Sequence, residues 1–265
     1  MLAFIAGEGA LPAKLVAAQS TPPLICELEG FESGLSPDPL VFRIERLGSF
    51  LAELTECGVT EVCFAGAIRR PPLDPSLVDA ATMPLVPRMM QALQAGDDAA
   101  LRTVIAFFEE AGFAVRAAHE LAPELLPEAG TPTEAQPSDR DKQDAARAAN
   151  RATLLAPADI GQALVVASGQ VLAVEAVGGT DWMLASLAGD RRPPGPSGGI
   201  LYKAPKHGQD RRIDLPVIGP ATVAGARAAG LAGIVVAAGG VMVLDLQETI
   251  DAANAAGVFL WVRPE

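Results

Sequence analysis

Leu2-Ala-Phe-Ile-Ala-Gly-Glu-Gly-Ala-Leu-Pro12 is the stretch whose reading decides the fold. Residues 2–6 form a short, uninterrupted apolar run, the pattern of a strand buried on both faces. Gly7 and Gly9 then supply a tight turn, and Pro12 falls where a helix can begin, because the N–H it lacks would have no partner there. The same strand–turn–helix grammar continues outward. Residues 24–28, 40–44, 61–65 and 113–117 read as further strands, and residues 47–57, 85–93 and 97–111 as helices, with Asp97 expected as the N-cap of the last and Gly112 just past its end. Strands alternating with helices imply a mainly parallel sheet covered on both faces. A stretch rich in Pro, Glu, Ala and Thr, residues 123–137, breaks the pattern and is expected to be a domain boundary. Beyond it come a polar helix over 139–155, a hairpin of strands 163–167 and 170–176, a helix from Thr180, a strand over 199–203, and alternating elements to residue 261. The expected fold class is therefore α/β. A Rossmann-like, mainly parallel N-terminal domain spans 1–132, and a C-terminal α/β domain with a mixed sheet spans 138–265, with an active site expected in the inter-domain cleft.

Composition narrows the function. Half of the 265 residues are hydrophobic, so a sizeable core can be buried, while a formal net charge of −12 excludes the basic footprint that non-specific nucleic-acid binding needs. The same charge argues against polybasic adhesion to anionic membranes. Three cysteines, Cys26, Cys57 and Cys63, show no metal-type spacing and are expected as free thiols of a reducing compartment. No signal peptide is expected at the N-terminus, and the longest apolar run, residues 233–244, falls short of the ~20 residues that span a bilayer. These features predict a soluble, cytoplasmic protein.

Charge is concentrated in Lys203-Ala-Pro-Lys-His-Gly-Gln-Asp-Arg-Arg-Ile-Asp-Leu-Pro216. Pro205, Pro216, Gly219 and Pro220 stiffen this segment. Fixed Lys and Arg side chains suit phosphate, one as a point charge and the other as a bidentate fork, and a carboxylate among them can hold a divalent ion or a water nucleophile. The alternative is a solvated loop whose charges pair with each other. Gly7-Glu8-Gly9 with Glu27 about 20 residues on invites a dinucleotide reading, but Pro12 stands where the fingerprint needs a small residue. Asp97 and Asp98 open a helix, where capping competes with ligand contact. His119-Glu120 ends a strand, a position favoured for function in such sheets. His207 could touch phosphate. Gly178-Gly179 lets backbone approach a ligand, the plainer reading being a turn with Thr180 as N-cap.

Several blocks occur in a recognisable order: Ile5 to Pro12, Phe64-Ala-Gly-Ala-Ile-Arg-Arg-Pro71, Gly96-Asp-Asp98 with Leu101-Arg102, His119-Glu120, Asp159-Ile-Gly-Gln162, Val171 to Ala176, Gly179-Thr-Asp181, and Lys203 to Gly219. Together they resemble the LpxI-like family of UDP-2,3-diacylglucosamine pyrophosphatases of lipid A synthesis, over nearly the whole chain. The resemblance implies a two-domain, Mg²⁺-dependent hydrolase (or one using Mn²⁺ or Co²⁺). Such an enzyme cleaves UDP-2,3-diacylglucosamine to UMP and 2,3-diacylglucosamine 1-phosphate, water attacking the sugar-side phosphorus. Asp214 matches the family aspartate whose loss abolishes turnover. On this reading Asp214, Lys203, Lys206 and Arg212 are catalytic, with Asp214 and Asp210 holding the metal. Gly7, Gly9, Ala10, Arg69, Asp97, Asp98, His119, Glu120, Thr180, Asp181 and Gln209 bind substrate. Transient peripheral contact with the inner face of the inner membrane is expected, driven by apolar residues, and a homodimer is left open. The rival readings are a nucleotide-sugar-binding regulatory module, which dispenses with Asp214, and a dinucleotide-dependent oxidoreductase.

Overall fold

The computed structural model describes residues 1–68, 73–189, 195–206 and 208–264, with the side chains of residues 95, 97 and 98 outside the description. The chain divides into two units, one of residues 1–123 together with 210–214, the other of residues 124–209 and 215–265.

In the first unit the apolar run becomes β1 (Leu2–Ala6), and α1 (Leu11–Ala17) follows with Pro12 in its first turn. β2 (Leu24–Leu28), β3 (Leu40–Phe42), β4 (Glu61–Ala65) and β5 (Ala114–Arg116) complete a sheet of order β3-β2-β1-β4-β5, parallel throughout. β3 is shorter than the sequence suggests. The chain leaves the strand at Arg43 because Glu45, only 3% exposed, must find donors. It takes them from the Arg43 guanidinium and, at 2.8 Å, from the Asp74 N–H.

α2 (Leu47–Glu56) buries Leu47, Phe50, Leu51 and Leu54, one helical face at the 3.6-residue period. Phe50 stacks on Phe42 with ring centroids 3.9 Å apart, and Phe108 sets its edge against Phe50 and Phe64. This aromatic cluster is the heart of the unit's core, and Ile213 packs at its margin. Phe108 comes from α4 (Asp97–Glu110), which follows α3 (Val86–Ala95) after a single residue. That linking residue, Gly96 at φ 123°, is the N-cap of α4 rather than Asp97. A one-residue joint between two helices needs positive φ, which glycine adopts without a Cβ clash.

The second unit contains α6 (Asp139–Leu155), its first turn closed by a capping box between Ser138 and Asp141. α5 (Ala118–Leu121) precedes it, at the end of the first unit. Next come β6 (Ala163–Ala167), β7 (Gln170–Val174), α7 (Gly179–Ser186), β8 (Ile200–Lys203), β9 (Val217–Ile218), α8 (Pro220–Ala228), β10 (Gly233–Ala237), β11 (Met242–Val243), α9 (Leu246–Ala256) and β12 (Phe259–Arg263). Their main sheet has the order β12-β10-β8-β6-β7. β12, β10 and β8 are parallel; β6 runs antiparallel to both β8 and β7, so the sheet is mixed, with the expected hairpin at its edge. β11 pairs with β9 in a separate two-stranded sheet instead of joining the main one. The three central strands, β10, β8 and β6, are almost fully buried, as strands covered on both faces should be.

Part of the Pro-rich stretch has a defined task in this unit. Gly130 exchanges two 2.8–2.9 Å backbone hydrogen bonds with Val262, and the Thr133 hydroxyl accepts from the Leu260 N–H at 3.0 Å. The segment therefore covers the β12 edge, whose N–H groups would otherwise be unpaired.

Cys26 and Cys63 are fully buried, and burial pushes both thiols up to about 12, so they behave as small apolar core residues; Cys57 is exposed, and all three are unbridged. Among the described residues no helix is long and apolar enough to cross a membrane.

Candidate active site

In the second unit, β8 ends on Lys203, which is 7% exposed. Its Nζ donates to the Thr180 hydroxyl at 2.7 Å and to the Val217 carbonyl at 3.1 Å. A buried ammonium is tolerable only when oxygen atoms replace its lost hydration. Thr180 is delivered by Gly179, which turns the chain at φ 78° into α7. Gly178 is the N-cap, so Thr180 sits inside the helix and its hydroxyl serves Lys203 instead of capping. Asp181 is exposed in the same first turn.

Past β8 the chain turns at Ala204-Pro205. The Lys206 ammonium lies 2.5 Å from a carboxylate oxygen of Asp159. The Gln209 side-chain carbonyl accepts from the Lys206 N–H at 2.9 Å and from the Gln162 amide at 3.1 Å. Residues 159, 162, 180, 203, 206 and 209 are thereby tied together at the carboxyl end of β8. Asp159 and Gln162 were absent from the expected site list, although they stand in a block that carried the resemblance. Their partners are 47 residues away, so no local spacing announces them.

Asp210 to Asp214 belong to the first unit. Both oxygens of Asp210 are engaged by Arg212, through its backbone N–H and Nε at 3.0 Å and Nη2 at 2.7 Å. Arg212 Nη1 reaches Glu109 at 2.6 Å. These hydrogen bonds hold the Asp210 carboxyl below its usual range and raise the Arg212 guanidinium above its own. Asp214 is half-buried, in the irregular stretch that leads to Leu215 and Pro216.

His119 lies in α5, just after β5. Its Nδ1 is buried without a hydrogen-bond partner among the described residues. Burial lowers the imidazole's proton affinity; the Glu120 carboxylate opposes that and Arg211 reinforces it. Since the folded form resists protonation, the unfolded chain takes up a proton first as pH falls, and stability is lost below the ordinary value near 6.5. We expect the thermal midpoint to drop between pH 7.5 and 5.5, and His119→Gln to flatten that slope; an unchanged slope in the variant would contradict it. Glu120 has a structural duty, accepting from Arg116 at 2.9 Å and from the Ala117 N–H at 3.2 Å.

The glycine turn has its own logic. The loops after β1 and β4, neighbours in the sheet, pair as Glu8 with Ala67 through two bonds of 2.8–2.9 Å. A Cβ on Gly7 would stand 2.6 Å from the Ala67 carbonyl oxygen, so glycine there is demanded by this close approach. Gly9 is open at φ 106°, and Ala10 is the N-cap of α1 with no side-chain bond to offer. Glu27 is 5% exposed and accepts from the N–H and hydroxyl of Ser33, so the acid that a dinucleotide reading needs is already used to pin its own loop. Arg69 and His207 lie outside the described residues, as do the side chains of Asp97 and Asp98, whose backbone opens α4.

A metal was expected at Asp214 and Asp210. Among the described residues no cluster of three His, Cys, Asp or Glu side chains could hold one. Mg²⁺ does not require such a cluster, since it commonly keeps several waters and takes one or two carboxylates plus substrate phosphate oxygens. Asp210 is engaged by Arg212 through both of its oxygens.

Comparison with known proteins adds to this arrangement. The family model of the LpxI N-terminal domain matches residues 1–125, and that of the LpxI C-terminal domain matches residues 128–261. A curated relative from Caulobacter vibrioides, named UDP-2,3-diacylglucosamine pyrophosphatase LpxI, is 38% identical, the alignment covering 100% of this chain and 98% of the relative.

Proposed function

Because this chain belongs to the LpxI family, we propose that it hydrolyses the pyrophosphate of UDP-2,3-diacylglucosamine, releasing UMP and 2,3-diacylglucosamine 1-phosphate for lipid A synthesis. The observation that carries this reading is the ribbon from Lys203 to Asp214. It presents a buried ammonium held by Thr180, a second ammonium at Lys206, the Asp210–Arg212 pair and the Asp214 carboxylate within twelve residues.

Phosphoanhydride cleavage spreads charge over non-bridging oxygens, so fixed cations aimed at those oxygens lower the barrier. Lys203 is oriented before substrate arrives by acceptors that include the Thr180 hydroxyl and the Val217 carbonyl. Lys206 exchanges Asp159 for a phosphoryl oxygen when the diphosphate binds. Arg212, clamped by Asp210 and Glu109, gives the ribbon its shape as well as its charge. Asp214 orients the attacking water and would hold Mg²⁺, which would supply further positive charge to the diphosphate. Gln209 and Gln162 fix the turn that carries Lys206. The parallel strand order β3-β2-β1-β4-β5 supports a Rossmann-like reading of the first unit, in which Gly9 leaves the switch point between β1 and β4 open to the nucleotide. Lipid-linked substrate implies transient contact with a membrane surface through apolar residues; Val177 and Trp182, 109% and 64% exposed beside Thr180, are the side chains we expect to supply it.

The test is release of UMP from UDP-2,3-diacylglucosamine by the purified chain with Mg²⁺, with and without EDTA. Turnover that EDTA abolishes is the expected result. Turnover indifferent to EDTA would remove the metal from the account, and binding without turnover would favour a regulatory module.

A further inference from the structure

A second group of charged residues lies away from the ribbon. α6 places Arg140, Gln143, Asp144 and Arg147 along one side, against the turn Ser168-Gly169 that joins β6 to β7, and these six residues line a cavity of about 240 Å³. Ala163, at the start of β6, is the register partner of Lys203. At about 3.3 Å per residue the turn is therefore roughly 16 Å from that partner, so the cavity is not part of the candidate active site.

The turn is built unusually. Ser168 and Gly169 both have positive φ, 47° and 79°, a conformation that Gly and Asn adopt more readily than Ser. Asp144, 3% exposed, holds it by accepting from the Ser168 and Gly169 N–H groups at 2.8 and 2.6 Å. The buried carboxylate is thus satisfied by backbone amides. Neither guanidinium takes part in an ion pair among the described residues. Arg140 instead donates to the Ser168 hydroxyl at 3.1 Å. A hydroxyl that accepts from Arg140 still has its own proton to give. Gly169 carries no side chain to cover Arg147, whose Nη1 would lie only 3.7 Å from a Cβ there.

We infer that this cavity is a second anion site, taking a phosphoryl group between Arg140 and Arg147 with the Ser168 O–H as a third donor. Two planar forks facing one space match the oxygens of a phosphate better than ammonium groups would. The chain as a whole carries a net charge of −12, so an anion has reason to settle only where positive charge is locally in excess. The same chemistry is offered by a soluble phosphate compound and by a phospholipid headgroup.

The experiment uses the full-length, ¹⁵N-labelled chain at low salt. Inorganic phosphate and pyrophosphate form one arm, read at the Ser168 and Gly169 amide resonances so that binding at the ribbon is not mistaken for it. Co-sedimentation with phosphatidylglycerol vesicles forms the other. Arg140→Gln/Arg147→Gln and the single Arg147→Gln are compared with the parent; both positions are exposed, so the thermal midpoint should hold. The expected result is a saturable shift at the turn by soluble anion, weakened at least tenfold in the double variant, with UMP release unchanged. Vesicle binding that depends on the two arginines, without a response to soluble anions, would assign the phosphoryl group to a headgroup. No response at the turn in either arm, or equal responses in the parent and double variant, overturns the inference.

Discussion

Asp214→Ala is expected to lower kcat for UMP release by about a thousandfold, within the range typical for removal of a group that positions a proton or nucleophile, while substrate binding changes less than about threefold. The asymmetry follows from the division of labour along the ribbon. On the proposed reading, binding draws on the cations, which the substitution leaves in place, while Asp214 would act on water and on the ion, which matter chiefly as the new bond forms. Asp210 provides the contrast. Its oxygens are taken by Arg212, so Asp210→Asn should loosen Arg212 and raise KM without removing the water-orienting carboxylate. A near-normal rate in Asp214→Ala, with a large loss in Asp210→Asn, would reverse the two assignments.

Lys203→Met is expected to cost about 10²–10³ in kcat, the scale seen when one preorganised charge-stabilising donor is lost. Its effect on folding should be small. Methionine fills a similar volume, and removing the ammonium removes the need to keep a charge in a 7% exposed position. Thr180→Val separates the two roles. It takes one oxygen from a buried ammonium, a loss of roughly 1.5–3 kcal/mol for a hydrogen bond to a charged group, and it tilts Lys203 away from its preset direction. Thr180→Val should therefore be the less stable variant and Lys203→Met the less active one. Thermal midpoints and kcat measured on the same preparations check both halves. If Lys203→Met unfolds the chain while retaining specific activity, Lys203 is a structural residue.

The alternation of apolar runs and amphipathic segments carried most of the fold into view. Residues 2–6 read as a buried strand because every side chain in them is apolar, and α2 declared itself through Leu47, Phe50, Leu51 and Leu54 at helical spacing. The misreadings were set by contacts distant in sequence. β3 stops early for the sake of Glu45, whose donor at Asp74 is 29 residues on. Asp97 lost its capping place to Gly96 because the two helices meet in one residue.

The candidate site was legible as a density of charge in the ribbon, and less so as a set of roles. Spacing alone could not reveal that Lys206 meets Asp159, that Thr180 is consumed by Lys203, or that Arg212 closes on Asp210 and Glu109. The charge pattern fits both a loop whose charges pair with each other and a phosphate-binding loop, and the described residues show internal pairing. The two are compatible, because a diphosphate offers the Lys206 ammonium a more highly charged partner than the single Asp159 carboxylate.

The central claim is that this ribbon brings water to a phosphorus of the bound diphosphate. Its most direct test is the UMP-release reaction run in ¹⁸O-labelled water, followed by mass analysis of both products. One heavy oxygen in 2,3-diacylglucosamine 1-phosphate and none in UMP is the result expected. Label in UMP, or products free of label, would contradict it.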